Sequence, residues 1–241
     1  MSTTATDLAA AKLPDWDYHD PRPELRDRTR SRVAIVAAVA LAGAVGSWLL
    51  LGLIGVAAFA ALFGGVMVWT VSNSGRGMLR REKAVRVKPG SSPRLENIVA
   101  GLAKQTRIPE PELWLISDAA PNALVCFTRR PAIAITSGLV DGYTRTELEA
   151  VVAHCYVRLA ATATPLARTM LALSTVSPAF GVPVGDVDDV RAAAITRYPP
   201  ALATAVTKAA PRRGRGAAFW FVADDGMHAA PEQRAAALLD L

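Results

Sequence analysis

The sequence has no charged side chain between residues 33 and 75, although 20% of all its residues are charged. This apolar run is about twice as long as the roughly 20 residues that one membrane-spanning helix needs. It also starts too late and runs too long for the core of a secretory signal peptide. The run predicts membrane attachment through two antiparallel spans at 33–50 and 54–71, with a turn near Gly52. One long tilted helix is the alternative.

Basic residues flank the apolar run on both sides. Five arginines lie in residues 22–32, and six Lys and Arg residues lie in residues 76–88. Because cytoplasmic segments next to membrane spans carry an excess of Lys and Arg, both ends of the run are expected on the cytoplasmic side. The expected location is the cell inner (plasma) membrane, as a multi-pass protein with a cytoplasmic N-terminus and a cytoplasmic C-terminal domain.

Cysteine is scarce, and the basic loop at 211–216 has no interleaved aromatic residues. The two cysteines, Cys126 and Cys155, are expected as reduced thiols in a cytoplasmic domain.

A basic loop without stacking aromatics does not favour nucleic acid as a partner. The net charge of +6 fits an anionic lipid leaflet instead, so the lipid bilayer is the expected partner. The oligomeric state stays open.

Composition divides the chain into four parts. The first has mixed charge and no periodicity, the second is the apolar run, the third is basic and ends in Lys-Pro-Gly-Ser-Ser-Pro, and the fourth has the patterns of a folded domain. They are interpreted as a mobile cytoplasmic arm, a transmembrane helical hairpin, a basic linker and one domain, at 1–32, 33–72, 73–93 and 94–241.

Short strand patterns and helical patterns alternate in the domain, which predicts an α+β fold that is mostly helical with a small β-sheet. Thr144 and Glu147 have the spacing of a capping box, which predicts that a helix begins there and carries His154 in its middle. The stretch at 166–184 is interpreted as a membrane-grazing helix or as a buried connector. Strands are predicted at 113–116, 123–127 and 132–136, the last two as a hairpin, and further helices at 95–103, at 187–209 with a break at Pro199-Pro200, and at 230–241.

The helix with His154 resembles a zinc-peptidase helix in which the His-Glu-x-x-His motif has changed. In that motif two histidines four residues apart bind zinc, and the Glu is the general base. Here residues 154–158 read His-Cys-Tyr-Val-Arg. His154 stands at the first ligand position, Cys155 at the position of the base, and Arg158 at the second ligand position. Since a protonated guanidinium cannot donate a lone pair, no catalytic residue is intact at these positions.

Five separated stretches resemble the HtpX-type membrane zinc metallopeptidases, relatives of the CAAX prenyl endopeptidases, in the order that this family has. The resemblance implies a zincin-like (minigluzincin) domain with zinc as the ancestral cofactor. The family's third ligand falls on Gly185, or on Asp186 with a slip of one residue. Asp189 and His228 match family residues that lie near the zinc without binding it. The five stretches are 107–111, 121–124, 134–139, 147–154 and 228–234.

A peptidase fold without its zinc ligands predicts a protein that has lost proteolysis. No cofactor is expected, with His154 and Asp186 as vestigial metal ligands. Arg158 is expected to pair with Asp186 or Asp189 in place of zinc. Cys155 is read as a small buried residue or as a thiolate beside His154, and Cys126 is a further candidate for a Cys-His set.

The predicted role is a peptide-binding scaffold, adaptor or regulator in membrane-protein quality control. The resemblance implies a sheet edge at Pro121, Asn122 and Ala123 that adds an extended peptide as a further strand. Candidate partners are therefore an extended peptide or other membrane proteins. The alternatives are an active zinc endopeptidase with non-standard ligands and a structural subunit of a membrane complex.

Overall fold

The computed structural model of the protein describes residues 23–177, 180, 186–226 and 228–241. Within these ranges the side chains of residues 23–30 and 186 are not described. The third-ligand position at Gly185 therefore lies outside the described residues, and so does the side chain of Asp186.

The apolar run forms helix α1, Pro23–Arg81, which has a sharp break at Gly52. Gly52 has φ 62° and ψ −147°, a conformation that glycine adopts at little cost because it has no Cβ. A Cβ added to Gly43 would collide with the ring of Phe59. In an unbroken helix these two residues would stand roughly 24 Å apart. We call the parts of α1 on either side of the break α1a (23–51) and α1b (53–81), and they are in contact at Gly43 and Phe59.

The outer surface of α1 is apolar and uncovered. Leu50 and Leu53 near the break are each 82% exposed, and Trp48 and Trp69 are 57% and 67% exposed. Residues 31–81 form a helix that is long and apolar enough to cross a membrane. A helix can present this surface to lipid at low cost because all its backbone groups are bonded internally. The structure thus supports association with a bilayer.

The ends of α1 differ from the boundaries predicted for the arm and the linker. The helix begins at Pro23, inside the segment interpreted as a mobile arm, and it continues to Arg81, well into the segment interpreted as a linker. Residues 76–81 stay helical because one side of the helix is buried: Met78 and Leu79 are 3% and 4% exposed and pack in the core of the domain. A basic composition does not reveal this packing.

The domain beyond α1 is built on a four-stranded sheet in the order β1-β2-β4-β3. Strand β4 pairs in parallel with β2 and antiparallel with β3, so the predicted hairpin is confirmed. Each predicted strand and helix of the domain has a counterpart. The elements are β1 Val85–Arg86, α2 Pro93–Thr106, β2 Glu112–Ile116, β3 Ala123–Phe127, β4 Pro131–Thr136, α3 Ser137–Gly142, α4 Arg145–Ala161, α5 Pro165–Leu173, α6 Asp186–Thr196, α7 Pro199–Lys208, β5 Arg212–Arg213, a 3₁₀ turn Ala217–Phe219, β6 Ala223–Asp224 and α8 Pro231–Leu239.

Helix α4 is buried along most of its length and begins at the predicted capping box. The Thr144 side chain accepts from the N–H of Glu147, and the Glu147 carboxylate accepts from the N–H of Thr144. Lys208 on α7 also donates to Glu147, at 2.7 Å. Two otherwise free N–H groups at the helix start are therefore satisfied. This start fixes the register of α4 and hence the direction of His154.

The sheet separates two apolar clusters. Ala123, Val125 and Phe127 of β3 pack with α4, whereas Leu124 and Cys126 pack on the opposite face with Met78 of α1b and the 3₁₀ turn. This alternation is the period of two residues that a strand imposes. Helix α5, in the stretch whose role was left open, has Met170, Leu171 and Ala172 buried and contacts α1.

Candidate functional site: a buried ionic cluster

His154 and Arg158 lie one turn apart on α4, so both point toward the same neighbouring element, α6. His154 is 1% exposed, and its Nδ1 lies 3.0 Å from Oδ1 of Asp189 on α6. The ring of Phe221 packs against the imidazole edge to face, with the ring centroids 4.9 Å apart. Asp189 therefore contacts one nitrogen of the imidazole.

Asp189 is also bound by an arginine that enters from the C-terminal helix. Arg234 on α8 donates from Nε and Nη2 to the two carboxylate oxygens of Asp189, each at 2.7 Å. Arg234 has no exposed surface, and its Nη1 donates to the carbonyl of Phe221 at 2.8 Å. Such a bidentate pair is among the strongest polar contacts in proteins. It connects α6, α8 and the segment before β6.

Arg158 stands at the second ligand position of the motif and bonds to Asp188. It is 3% exposed and donates to Oδ2 of Asp188 at 3.4 Å and to the carbonyl of Ala218 at 3.3 Å. Of the two partners predicted for Arg158, Asp189 is bound by Arg234, and the side chain of Asp186 lies outside the described residues. We call His154, Arg158, Asp188, Asp189 and Arg234 the ionic cluster.

The titration behaviour of the cluster follows from burial and from its opposite charges. Burial raises the pKa of Asp189, but the charge and hydrogen bonds of Arg234 and the contact with His154 outweigh it, so this pKa lies well below the usual range. Burial lowers the pKa of Arg158, an effect opposed by Asp188 and Asp225. A guanidinium nevertheless stays protonated in proteins. The site therefore contains fixed positive charge.

Neither cysteine provides a nucleophile at this site. Burial raises the pKa of both thiols to about 12, so the thiolate is scarce at neutral pH. Cys126 packs on the face of the sheet opposite α4. The Cys-His set considered from the sequence is therefore not formed by Cys126. Cys155 is a small buried residue, 1% exposed, within the core around α4.

The described residues do not fit a zinc ion. Zinc sites in peptidases use at least three protein ligands drawn from His, Cys, Asp and Glu. No such group of three occurs in the part of the chain that the structure describes. His154 offers one nitrogen, Nε2, which has no hydrogen-bond partner among those residues. Arg158 places a cation one helical turn away, where the motif would need a second donor.

The sheet edge at Pro121, Asn122 and Ala123 is occupied by the chain itself. We call residues 220–222 the edge segment. Its Phe221 donates to the carbonyl of Ala123 at 2.7 Å, and Leu124 forms an antiparallel bridge with Trp220. The Asn122 amide donates to the carbonyl of Val222 at 2.8 Å, and Asn122 and Ala123 are both fully buried. A peptide could add at this edge only after the edge segment leaves.

His228 supports the edge segment and lies next to the ionic cluster. Its Nδ1 is 2.9 Å from Oδ1 of Asp225, and its Nε2 is 3.0 Å from the carbonyl of Trp220. Burial lowers the pKa of His228, an effect opposed by Asp225 and strengthened by the charges of Arg158 and Arg234. The placement of His228 near the ancestral metal position, without a ligand's role, stays a prediction.

Sequence reasoning missed three residues of this arrangement. Arg234 closes one of the matched stretches but received no role, Asp188 was passed over for its neighbours, and Phe221 belongs to no motif. A signal for Arg234 existed, because a buried helix start rarely keeps an Arg without an acidic partner. For Asp188 the ambiguity is intrinsic, since adjacent residues on a helix differ by about 100° in direction and the sequence does not fix the phase.

The described residues thus form an α+β domain preceded by a long apolar helix, and the buried helix α4 carries the sequence His-Cys-Tyr-Val-Arg. Residues 89–156, which include α2, the strands β2–β4 and most of α4, match the profile of peptidase family M48. Over this stretch the chain is similar to peptidase family M48. Arg158 and the acidic residues of the ionic cluster lie beyond the matched stretch.

Curated relatives match over a similar length. The "Protease HtpX homolog" of Tropheryma whipplei (strain Twist) is 36% identical over 83 residues, 34% of this chain and 28% of the relative. That of Limosilactobacillus reuteri (strain DSM 20016) is 36% identical over 80 residues, 32% of this chain and 27% of the relative. The matches thus span less than a third of the relatives' length. No solved structure matches the chain.

Proposed function

We propose that this protein is a membrane-anchored HtpX-like homologue that has lost proteolysis and acts as an adaptor or regulator in membrane-protein quality control. One observation carries the proposal: the guanidinium of Arg158 is buried where the motif would need a metal ligand and donates to Asp188. Without a zinc-bound water there is neither a nucleophile nor an ion to polarise the scissile carbonyl. His154, Cys155 and Arg158 are then positions that keep the fold rather than catalyse.

The occupied sheet edge favours one form of this role over another. Because the edge segment is hydrogen-bonded to Asn122 and Ala123, an open peptide-binding scaffold would need that segment to move first. Binding through another surface, as an adaptor or as a structural subunit of a membrane complex, needs no such movement. We therefore place the adaptor role first and the peptide-binding scaffold second.

The membrane part of the proposal concerns topology. We place α1a and α1b as two antiparallel spans, with both basic flanks and the domain on the cytoplasmic side of the inner (plasma) membrane. The break at Gly52 and the contact of Gly43 with Phe59 support this arrangement. The position of Arg76, Arg80 and Arg81 directly after the apolar run supports the orientation.

The test measures metal and proteolysis on the same preparation. The full chain is purified in mild detergent, incubated with zinc, separated from free metal and analysed by mass spectrometry of the elements. We expect far less than one zinc per chain and no cleavage of an unfolded protein such as casein above the buffer rate. His154→Ala serves as the matched variant and is expected to have the same metal content as the wild type.

An active enzyme with non-standard ligands would give a different pattern. It would retain about one zinc per chain, would lose that zinc in His154→Ala, and would cleave casein in a manner that a chelator stops. That combination would reject the proposal. Co-purification tests the adaptor role itself. An adaptor or a structural subunit is expected to retain a stoichiometric partner protein in mild detergent, whereas a protein that acts alone is not.

A further inference from the structure

A cavity of about 350 Å³ lies where α1b enters the domain, away from the ionic cluster. Arg76 and Arg80 line it from α1b, and Arg129 lines it from the turn between β3 and β4. Arg76 and Arg80 are four residues apart, so their side chains share one face of the helix. The cavity therefore brings together three guanidinium groups from two parts of the fold.

These three arginines have no carboxylate partner among the described residues, although one carboxylate shares the cavity. Glu112 lines the wall, and its Oε1 lies 3.3 Å from Arg86. The charge of Glu112 is therefore balanced by an arginine outside the lining, and the cavity keeps a positive excess. Guanidinium groups bind phosphate through several parallel N–H donors, which makes clustered arginines characteristic of phosphate sites.

The position along α1b matches the depth of lipid headgroups. Val71 ends the predicted second span, and Arg76 follows five residues later, a rise of about 7.5 Å along a helix. The polar layer of a bilayer leaflet is roughly 5–8 Å thick, so Arg76 stands at its level and Arg80 just beyond it. Met78 and Leu79 between them are buried in the domain, which keeps the cavity at this height.

We propose that this cavity binds the headgroup phosphate of an anionic phospholipid through Arg76, Arg80 and Arg129. The proposal does not depend on the loss of proteolysis, because the cavity and the ionic cluster share no residue. Such a defined binding site differs from the general electrostatic attraction that basic flanks have for an anionic leaflet.

Native mass spectrometry of the full chain tests the site. The protein is released from nanodiscs of phosphatidylglycerol and phosphatidylcholine in equal parts, and the lipids that stay bound are counted. We expect one phosphatidylglycerol per chain to be retained, and we expect Arg129→Gln to lower that retention about fivefold.

Arg130→Gln is the matched control, because Arg130 is the next residue of the same turn, is also exposed and does not line the cavity. Its lipid retention is expected to equal that of the wild type. An equal loss in both variants would mean diffuse electrostatic attraction and would overturn the proposed site. Equal retention of phosphatidylcholine and phosphatidylglycerol by the wild type would overturn it as well.

A second arm distinguishes a lipid from free phosphate. The delipidated protein in neutral detergent is titrated with inorganic phosphate, and then with a short-chain phosphatidylglycerol, by calorimetry. We expect the lipid to bind at least tenfold more tightly, because its glycerol and chains continue along α1b. Tighter binding of inorganic phosphate, lost in Arg129→Gln, would assign the cavity to free phosphate and reject the headgroup assignment.

Discussion

At the scale of single residues, the ionic cluster is an electrostatic link between separate elements, as a metal ion is in many other proteins. A metal ion draws donors from several elements to one point, and here two arginines connect α4, α6, α8 and the 3₁₀ turn through Asp188 and Asp189. A buried ion pair costs much desolvation, so it adds little net stability compared with apolar packing, but removing one partner is costly. The cluster should therefore tolerate paired changes better than single ones.

The first prediction concerns Arg158. Arg158→Gln leaves Asp188 buried with less compensation and should cost about 3–5 kcal/mol, which lowers the Tm on the order of 10 °C. The double variant Arg158→Leu with Asp188→Leu should recover a large part of that loss. Thermal unfolding in detergent measures both. Arg213→Gln is the control, since its pair with Asp224 is mostly exposed and should change the Tm little.

A contrary result for Arg158 would be informative about the cluster. If Arg158→Gln and Arg213→Gln had the same small effect, the guanidinium of Arg158 would not hold α4 to α6. If the double variant were no more stable than the single one, the loss would come from packing rather than from the unpaired charge.

The second prediction concerns acid. The pKa of Asp189 is lowered in the folded state, so its ionised form stabilises the fold fully above the unfolded pKa of about 3.9, and this contribution is lost as the pH falls below that value. The Tm of the wild type should therefore exceed that of Asp189→Asn at pH 7, and the gap should narrow below about pH 4. Asp224→Asn, at an exposed site, should show no such trend. A gap that stays constant with pH would contradict the assignment.

The residues of the cluster show what the sequence reveals about a site. The resemblance placed His154, Arg158 and Asp189 in one region, because they occupy matched positions of a motif. It did not reveal that Asp188 rather than Asp189 bonds to Arg158. That choice depends on how α6 is rotated about its own axis relative to α4. Asp188 and Asp189 are both acidic, so the sequence is compatible with either rotation.

At the scale of elements, α1b and β3 make an unusually close contact. A Cβ added to Gly75 would collide with the carbonyl oxygen of Phe127, the last residue of β3. Gly77, two residues on, has open space around it. The helix can approach the strand this closely only because position 75 has no side chain. This contact joins the membrane part of the chain to the sheet.

The third prediction uses this difference between two glycines of one helix. Gly75→Ala should destabilise the protein by about 1–3 kcal/mol, because the backbone of β3 would have to move. Gly77→Ala should stabilise it by up to about 1 kcal/mol, because alanine favours the helix and meets nothing. Thermal unfolding measures both, and opposite signs are expected. The same sign for both variants would contradict the close contact.

The elements of the domain followed from local patterns. Short strand-like runs predicted β2 to β4, and the capping box at Thr144 and Glu147 predicted the start of α4, because both signals act within a few residues. The pairing of the edge segment with β3 was not predictable, since residues 220–222 lie about a hundred residues away and contain no strand pattern. Contacts that are distant in sequence depend on packing of the whole core.

At the scale of the whole molecule, the two halves of α1 define how the protein meets the bilayer. The fourth prediction is that Ser31→Cys and Lys88→Cys are both protected from a membrane-impermeant maleimide added outside intact cells, whereas Leu53→Cys is labelled. Two antiparallel spans place residues 31 and 88 on the cytoplasmic side of the membrane and the break near Gly52 on the outer side. The native Cys126 and Cys155 are buried and should not react.

A single long span would give another labelling pattern. Ser31→Cys and Lys88→Cys would then lie on opposite sides, and Leu53→Cys would lie within the bilayer and stay unlabelled. Lysed cells serve as the control, in which every exposed position should react. The apolar run alone left both topologies open, because hydropathy reports length and not direction.

The contact of Gly75 with Phe127 has a mechanical consequence. A hydrophobic helix adjusts to a thicker or thinner membrane by changing its inclination. With no flexible joint between α1b and β3, such a change would rotate the sheet and everything packed on it by the same angle. Bilayer thickness would then set which surface of the domain faces its neighbours in the membrane.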